Sequence, residues 1–213
     1  MNDFKKTNLE IIDRYNKRFK IYGDDPLSLN WKDQKAQHER FSNFLKLANV
    51  ENKNILDVGC GFADLYAYLR NKNKLPKKYT GIDINPDFIN HCKKKFPSLQ
   101  FHVGNLIDNH TTDEKFDIVL MVGVLSYNFK EFDNIKFTKE VVTNAFNFTN
   151  DTLIFDMQST VVNKNYETAE HIHYQKPGDI LDFALSLTPN VVLKHDNIPN
   201  PAREFIVLMK REI

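Results

Sequence analysis

The chain has 213 residues, enough to bury one sizeable core with a little chain left over. Its 29 basic and 28 acidic residues leave a net charge of +1, which argues against a protein held to nucleic acid by bulk charge, and its 41% apolar and 27% charged content argues against disorder. No apolar run approaches the ~20 residues of a membrane helix, no leader-like apolar segment opens the chain, and two cysteines, Cys60 and Cys92, make neither a disulfide scaffold nor a zinc site, so a reduced, cytoplasmic protein is expected.

In chain order, Phe4 to Phe19 places Leu9, Ile12, Tyr15 and Phe19 at three- and four-residue spacings, which predicts an amphipathic helix. Tyr22-Gly23-Asp24-Asp25-Pro26 breaks it, and Asp33 to Ala48 reads as a second helix with Phe41, Phe44, Leu45 and Ala48 on one face. From about residue 50 the pattern alternates between strand and helix. Apolar runs at Asn54 to Gly59, Tyr79 to Ile84, Leu99 to Gly104, Phe116 to Gly123 and Thr152 to Met157 are continuous, as strands are in a parallel sheet covered on both faces. Helices fit at Phe62 to Asn71, Pro86 to Phe96 and Phe132 to Phe148; Asn85 is a natural N-cap and Pro86 a natural first helical residue. A last helix from Gly178 to Leu187 precedes strands at Val191 to His195 and Glu204 to Lys210, whose short connection suits a hairpin and not a parallel crossover. The expected fold is α/β and doubly wound, a seven-stranded mixed sheet with a terminal antiparallel hairpin. Residues 1–49 form an N-terminal helical cap of the same domain, and residues 50–213 form the sheet and its helices.

Chemistry concentrates in Ile55-Leu56-Asp57-Val58-Gly59-Cys60-Gly61-Phe62, where a buried strand ends in Asp-x-Gly-x-Gly and a helix opens directly after. Glycine suits a tight turn that a ligand must approach at the backbone, and the helix N-terminus offers N–H groups to an acidic ligand group. The next strand ends in Gly81-Ile82-Asp83, 24 residues after Gly59, a distance at which an acid can accept both hydroxyls of a ribose. A dinucleotide fingerprint would continue to a third glycine at position 64; that position is Asp64, which is unfavourable to a pyrophosphate. A nucleoside-bearing cofactor with a positive centre fits better, with Asp57 as a further carboxylate on the turn.

On these motifs the chain resembles the class I S-adenosylmethionine-dependent methyltransferases. Asp57-Val58-Gly59-Cys60-Gly61 matches their first motif, Asp83 their ribose-binding acid and Gly104-Asn105-Leu106 the segment that contacts adenine. The match runs from about residue 50 to residue 213, including the terminal hairpin that separates this Rossmann-like fold from dinucleotide-binding ones. The N-terminal part, with Tyr22-Gly23, Trp31 and Gln37 to Phe41, resembles that of small stand-alone bacterial methyltransferases. The resemblance implies S-adenosyl-L-methionine as cofactor, with Gly59 and Gly61 under its methionine part, Asp83 on the ribose, Ile84 beside the adenine, and Met121 and Val122 touching the amino acid end. Tyr22 and Trp31 would cover it. Ala63 stands where many relatives have a third glycine, and Asn105 where Asp is commoner; an amide oxygen still accepts a hydrogen bond there.

The acceptor site would lie over the carboxyl ends of the strands. Ser126-Tyr127-Asn128 follows the fourth strand, and the long stretch Gln158 to Lys176 follows the fifth with Tyr166, His171, His173 and Tyr174. Methyl transfer is an in-line displacement governed by alignment, and only a hydroxyl acceptor needs its proton removed. His171 and His173 are the candidate bases, placed on one side if the segment is extended, with Tyr127 beside them. Asn128, Tyr166, Tyr174 and Arg203 are candidate acceptor ligands, and no metal site is expected. The activity expected is methylation of oxygen or nitrogen on a small polar acceptor such as a sugar, nucleotide-linked or phosphorylated metabolite. An RNA or protein methyltransferase and a non-catalytic cofactor-binding protein are the alternatives. No stable nucleic-acid or membrane partner is expected, and the chain would be a monomer or homodimer.

Overall fold

The computed structural model describes residues 3–107, 114–130, 133–161, 167–196 and 204–212. In chain order the helices are α1 (Asp3–Tyr22), α2 (Gln34–Leu45), α3 (Asp64–Asn71), α4 (Pro86–Lys95), α5 (Asn134–Asn147) and α6 (Pro177–Leu185), with a short 3-10 turn at Pro26–Leu29. The strands are β1 (Asn54–Val58), β2 (Lys78–Asp83), β3 (Gln100–Val103), β4 (Phe116–Met121), β5 (Thr149–Ser159), β6 (Tyr174–Gln175), β7 (Val191–Lys194) and β8 (Glu204–Lys210).

The seven-strand path is β3-β2-β1-β4-β5-β8-β7. β3 to β5 are mutually parallel, and β8 runs antiparallel to both β5 and β7, so the expected parallel set with its terminal hairpin is what forms. The chain departs in opposite directions from β1, to β2 on one side and eventually to β4 on the other. Their carboxyl ends therefore open a crevice, the place where open α/β sheets bind ligands.

The central strands β1, β2, β4 and β5 are buried on both faces, which is why their sequences read as largely apolar runs, whereas the edge strands β3 and β7 are partly exposed. Leu56, Val58, Val119, Met121, Leu153 and Phe155 point to the core shared with α5 and α6. Their neighbours Ile55, Ile118, Leu120 and Ile154 point to the core shared with α2, α3 and α4. β5 begins three residues before the expected run and ends two after it. The two-residue β6, parallel to the end of β5, lies in a stretch read from sequence as loop, and it makes the sheet eight-stranded in total.

α1 runs on through Tyr22 and stops at Gly23, whose φ of +67° only glycine adopts readily and whose N–H returns to the Phe19 carbonyl. Phe19 packs on Phe62 and Phe88, with ring centroids 4.9 and 5.6 Å apart. Phe62 is wholly buried, and burying such a ring stabilises by about 1.5–3 kcal/mol. Asn16 donates to Asp87 at 2.7 Å and accepts from Asn85 at the same distance, fixing α1 across the start of α4. No helix among the described residues is long and apolar enough to cross a membrane.

Candidate functional site

One cavity of about 490 Å³ occupies the crevice, floored by the ends of β1, β2 and β4 and roofed by α1, the 3-10 turn and α2. The glycine turn forms one wall. Gly59 and Gly61 have φ of +71° and +53°, and a Cβ built on either would lie 2.6 Å from Val124 or 2.7 Å from Leu29. Ala63 takes the same left-handed conformation at φ 58°, so a residue that pays about 1–3 kcal/mol for it stands where a third glycine would suit.

Asp83 at the tip of β2 presents its carboxylate to the cavity. One oxygen accepts from Gly61 N–H at 3.0 Å and the other from Asn85 N–H at 2.8 Å. Burial raises its pKa to about 6 despite those two donors. Each carboxylate oxygen keeps a lone pair for a further donor. Asn105, Leu106, Ile84 and Phe88 line the adjoining slot, and Asn105 Oδ1 accepts the Ile107 N–H at 2.7 Å. A glycine turn, an acid with lone pairs to offer and an apolar slot together fit a nucleoside with a small polar arm.

Asp57 lies outside the cavity. Its side chain is 4% exposed, accepts a hydrogen bond from the Tyr79 hydroxyl, and is raised to about 7 by burial. It braces β1 against β2 instead of facing a ligand. Asp64, too, is turned to the protein, accepting from Gln37 at 2.9 Å and pairing with Lys95 at 3.4 Å. Met121 is fully buried in the core and does not reach the cavity, whereas Val122 does. Trp31 roofs the site, but Tyr22 sits 43% exposed under Arg18, away from it.

The roof is anchored by a feature the sequence reading missed. Arg40 of α2 forms ion pairs with Asp156 at 2.9 Å and with Glu204, both carboxylates being nearly fully buried. Its guanidinium lies 4.6 Å from the Trp31 ring centroid. Asp156 also accepts the Gly123 N–H at 2.6 Å, so the end of β4 is tied to the same group. Burial pushes both carboxylates upward and Arg40 opposes it. The signal was present: Asp156 interrupts a buried apolar run, and a charge there needs a partner.

Beyond the glycine turn the cavity continues to a second end made by α1, Tyr127, His171 and Ile172, with Ile11, Phe129 and Phe137 supplying apolar surface. Tyr127 and Ile172 form an isolated antiparallel bridge, flanked by Asn128 N–H to the His171 carbonyl at 2.9 Å and His173 N–H to the Ser126 carbonyl at 3.0 Å. His171 faces the cavity and is held below the ordinary imidazole pKa by burial, then by Arg14 and Arg18. His173 does not line it; its Nε2 is buried in the protein. A turn closed by Ile172 N–H on the Ala169 carbonyl leads into this bridge, and of the two histidines only His171 lines the cavity. Asn128 Nδ2 is spent on the Glu170 carbonyl, and the Tyr174 hydroxyl accepts from Ala169 N–H, so neither lines the cavity. Tyr166 and Arg203 lie outside the described residues. Sequence reasoning missed Gln158 of β5 in the lining, and also Arg14, Tyr15 and Arg40, which only the packing of α1 and α2 over the sheet brings there.

Residues 55–144 match a family described as "Methyltransferase domain". The fatty-acid O-methyltransferase of Mycolicibacterium smegmatis is 39% identical over 88 residues, 40% of this chain and 31% of that protein. The phthiotriol/phenolphthiotriol dimycocerosates methyltransferase of Mycobacterium leprae is 30% identical over 119 residues, 55% of this chain and 43% of that protein. The chain thus spans less than half the length of the curated relatives it matches. Among solved structures, magnesium protoporphyrin IX methyltransferase from Synechocystis PCC 6803 with bound S-adenosylmethionine aligns at TM-score 0.61 and 14% identity, over 95% of this chain and 96% of that one. An S-adenosylmethionine-dependent methyltransferase from Clostridium acetobutylicum aligns at TM-score 0.60 and 17% identity, over 92% and 98%.

Proposed function

We propose that the chain is an S-adenosylmethionine-dependent methyltransferase, as its methyltransferase-domain match and fold support, and that it methylates an oxygen of a small acceptor with an apolar body and a polar end, bound in the second half of the cavity. The observation that carries this reading is that one cavity joins the glycine turn and Asp83 to Tyr127, His171 and the apolar residues of α1 and α5. S-Adenosylmethionine, when bound, supplies a methyl group on a positively charged sulfur. Gly59 and Gly61 would admit its amino acid arm, Asp83 would accept from the ribose hydroxyls, and Ile84, Phe88 and Leu106 would enclose the adenine. Arg40 and its carboxylates hold Trp31 over the site and keep out water, so alignment of the acceptor oxygen supplies much of the rate.

Tyr127 and His171 are the polar side chains offered to the acceptor at the far end. A neutral His171 has one N–H and one lone pair. It can take a proton from a hydroxyl, or donate to an oxygen already ionised. The names of the curated relatives support an oxygen acceptor on a lipid-like molecule, and the lining favours an apolar body over the sugar or phosphorylated metabolite expected from sequence. The test is calorimetry with S-adenosylmethionine, followed by transfer of a labelled methyl group to panels of small acids, alcohols, phenols and amines. Label on small oxygen acceptors supports the reading. Label only on RNA or protein, or none with cofactor bound, refutes it.

A further inference from the structure

Resting on the reading of this cavity as a methyl-transfer site, we propose that Arg14 is the acceptor-binding residue that selects carboxylates, so that the substrates are small carboxylic acids with an apolar body, methylated on a carboxylate oxygen. The charged side chains lining the cavity are Arg14, Lys32, Arg40 and Asp83. Arg40 is matched by Asp156 and Glu204 behind it. Asp83 lies at the glycine-turn end and already accepts two backbone N–H groups. Lys32 is exposed at the rim. Arg14 is half-buried inside, its guanidinium 5.9 Å from the centroid of Tyr127, and among the described residues it forms no ion pair.

Its neighbours are otherwise engaged. On α1, Asp13 pairs with Lys17 at 2.6 Å, Arg18 donates to the Leu27 carbonyl, and Glu10 is exposed. From the facing loops come Tyr127 and His171, a phenol and an imidazole and not carboxylates. A guanidinium partly withdrawn from water, with no ion pair among the described residues and with planar paired donors, is built to receive a carboxylate. An amine acceptor would meet repulsion from the same group. A hydroxyl acceptor would need His171 to become imidazolium beside Arg14 and Arg18, and those two charges oppose that proton. A carboxylate needs no base: its lone pair forms the O–CH3 bond, and the C–S electron pair leaves with sulfur. The sulfonium becomes a neutral thioether and the carboxylate a neutral ester, with no proton moved. The ester has lost the charge that Arg14 holds, so the same residue distinguishes substrate from product.

The experiment measures binding of octanoate, octanamide, methyl octanoate and octylamine by calorimetry with S-adenosylhomocysteine present, and formation of methyl octanoate by mass spectrometry with S-adenosylmethionine. The wild type should bind octanoate at least tenfold more tightly than the amide or ester. Arg14→Ala should erase that preference while leaving S-adenosylmethionine affinity within about twofold, Arg14→Lys should restore part of it, and Arg14→Glu should turn it toward octylamine. Lys17→Ala, on the solvent side of the same helix and 71% exposed, should change neither. Equal affinity for acid and amide in the wild type, or a preference that survives Arg14→Ala, overturns the proposal. Loss of S-adenosylmethionine binding by the wild type itself instead overturns the methyl-transfer reading beneath it.

Discussion

Replacing Arg40 by Met should be among the more damaging single changes to this protein's stability, and its effect should depend on pH. The substitution removes a cation that sits between Asp156, fully buried, and Glu204, 4% exposed. Removing one partner of a buried ion pair costs about 3–5 kcal/mol, because the remaining charge is left in low dielectric. The stacking of the guanidinium on Trp31 adds about 0.5–2 kcal/mol. For a chain of this length each kcal/mol lowers Tm by about 2–4 °C, so the pair alone predicts a fall of about 6–20 °C. Both carboxylates already have pKa values raised by burial, and losing Arg40 raises them further. A raised carboxylate binds its proton more tightly folded than unfolded, so stability falls as pH climbs from the unfolded value through the folded one. The deficit of Arg40→Met should therefore be largest at pH 8 and shrink at pH 5, well below the value of about 7 to which Glu204 is already raised. Thermal melts of Arg40→Met and wild type across that range test this, with Glu204→Gln added to Arg40→Met expected to recover part of the loss at pH 8. A Tm within 2 °C of wild type at pH 8, or a deficit equal at both pH values, would refute the argument.

Asp83→Ala should weaken S-adenosylmethionine binding at least tenfold, about 1.4 kcal/mol, by calorimetry; unchanged affinity would sink the ribose assignment. Because Asp83 titrates near 6, wild-type affinity should also fall as pH drops from 7.5 to 5, and Asp83→Asn should abolish that slope. Tyr79→Phe strips Asp57 of its donor and should cost about 1–3 kcal/mol in urea unfolding, more at pH 8 than at pH 5 because Asp57, already near 7, moves higher; an equal cost at both pH values would contradict the account. His171→Ala should slow carboxylate methylation less than tenfold, whereas loss of a true general base would slow it about 10²-fold or more, so single-turnover rates separate the two roles.

The sheet was legible because its central strands are sealed on both faces and therefore carry short apolar runs. The glycine turn and Asp83 were legible because backbone geometry restricts which residues can stand there. Asp57 shows the limit of such reasoning. It shares the motif with Gly59, but β1 alternates its side chains, and position 57 faces Tyr79 and not the crevice. His171 and His173 were read as a pair from their two-residue spacing, but only His171 lines the cavity, while His173 Nε2 is buried in the protein. Glu204, next to the acceptor candidate Arg203, is committed to Arg40, some 160 residues earlier, across a contact that no local pattern encodes.

The contacts of the N-terminal helices explain why cofactor and acceptor halves should be read as one site. Phe19 rests on Phe62, the first residue past the glycine turn; Leu29 would collide with any side chain at Gly61; Gln37 holds Asp64; and Arg40 reaches the ends of β5 and β8. Each of these contacts falls on a segment that shapes the crevice. α1 also contributes Ile11, Arg14 and Tyr15 to the interior. A displacement of α1 that loosened Phe19 from Phe62 would therefore also move Arg14 relative to His171 and Tyr127. Acceptor selection and cofactor enclosure are in this way tied to one packed element, and the charge that chooses the acceptor sits on the helix that closes over the methyl donor.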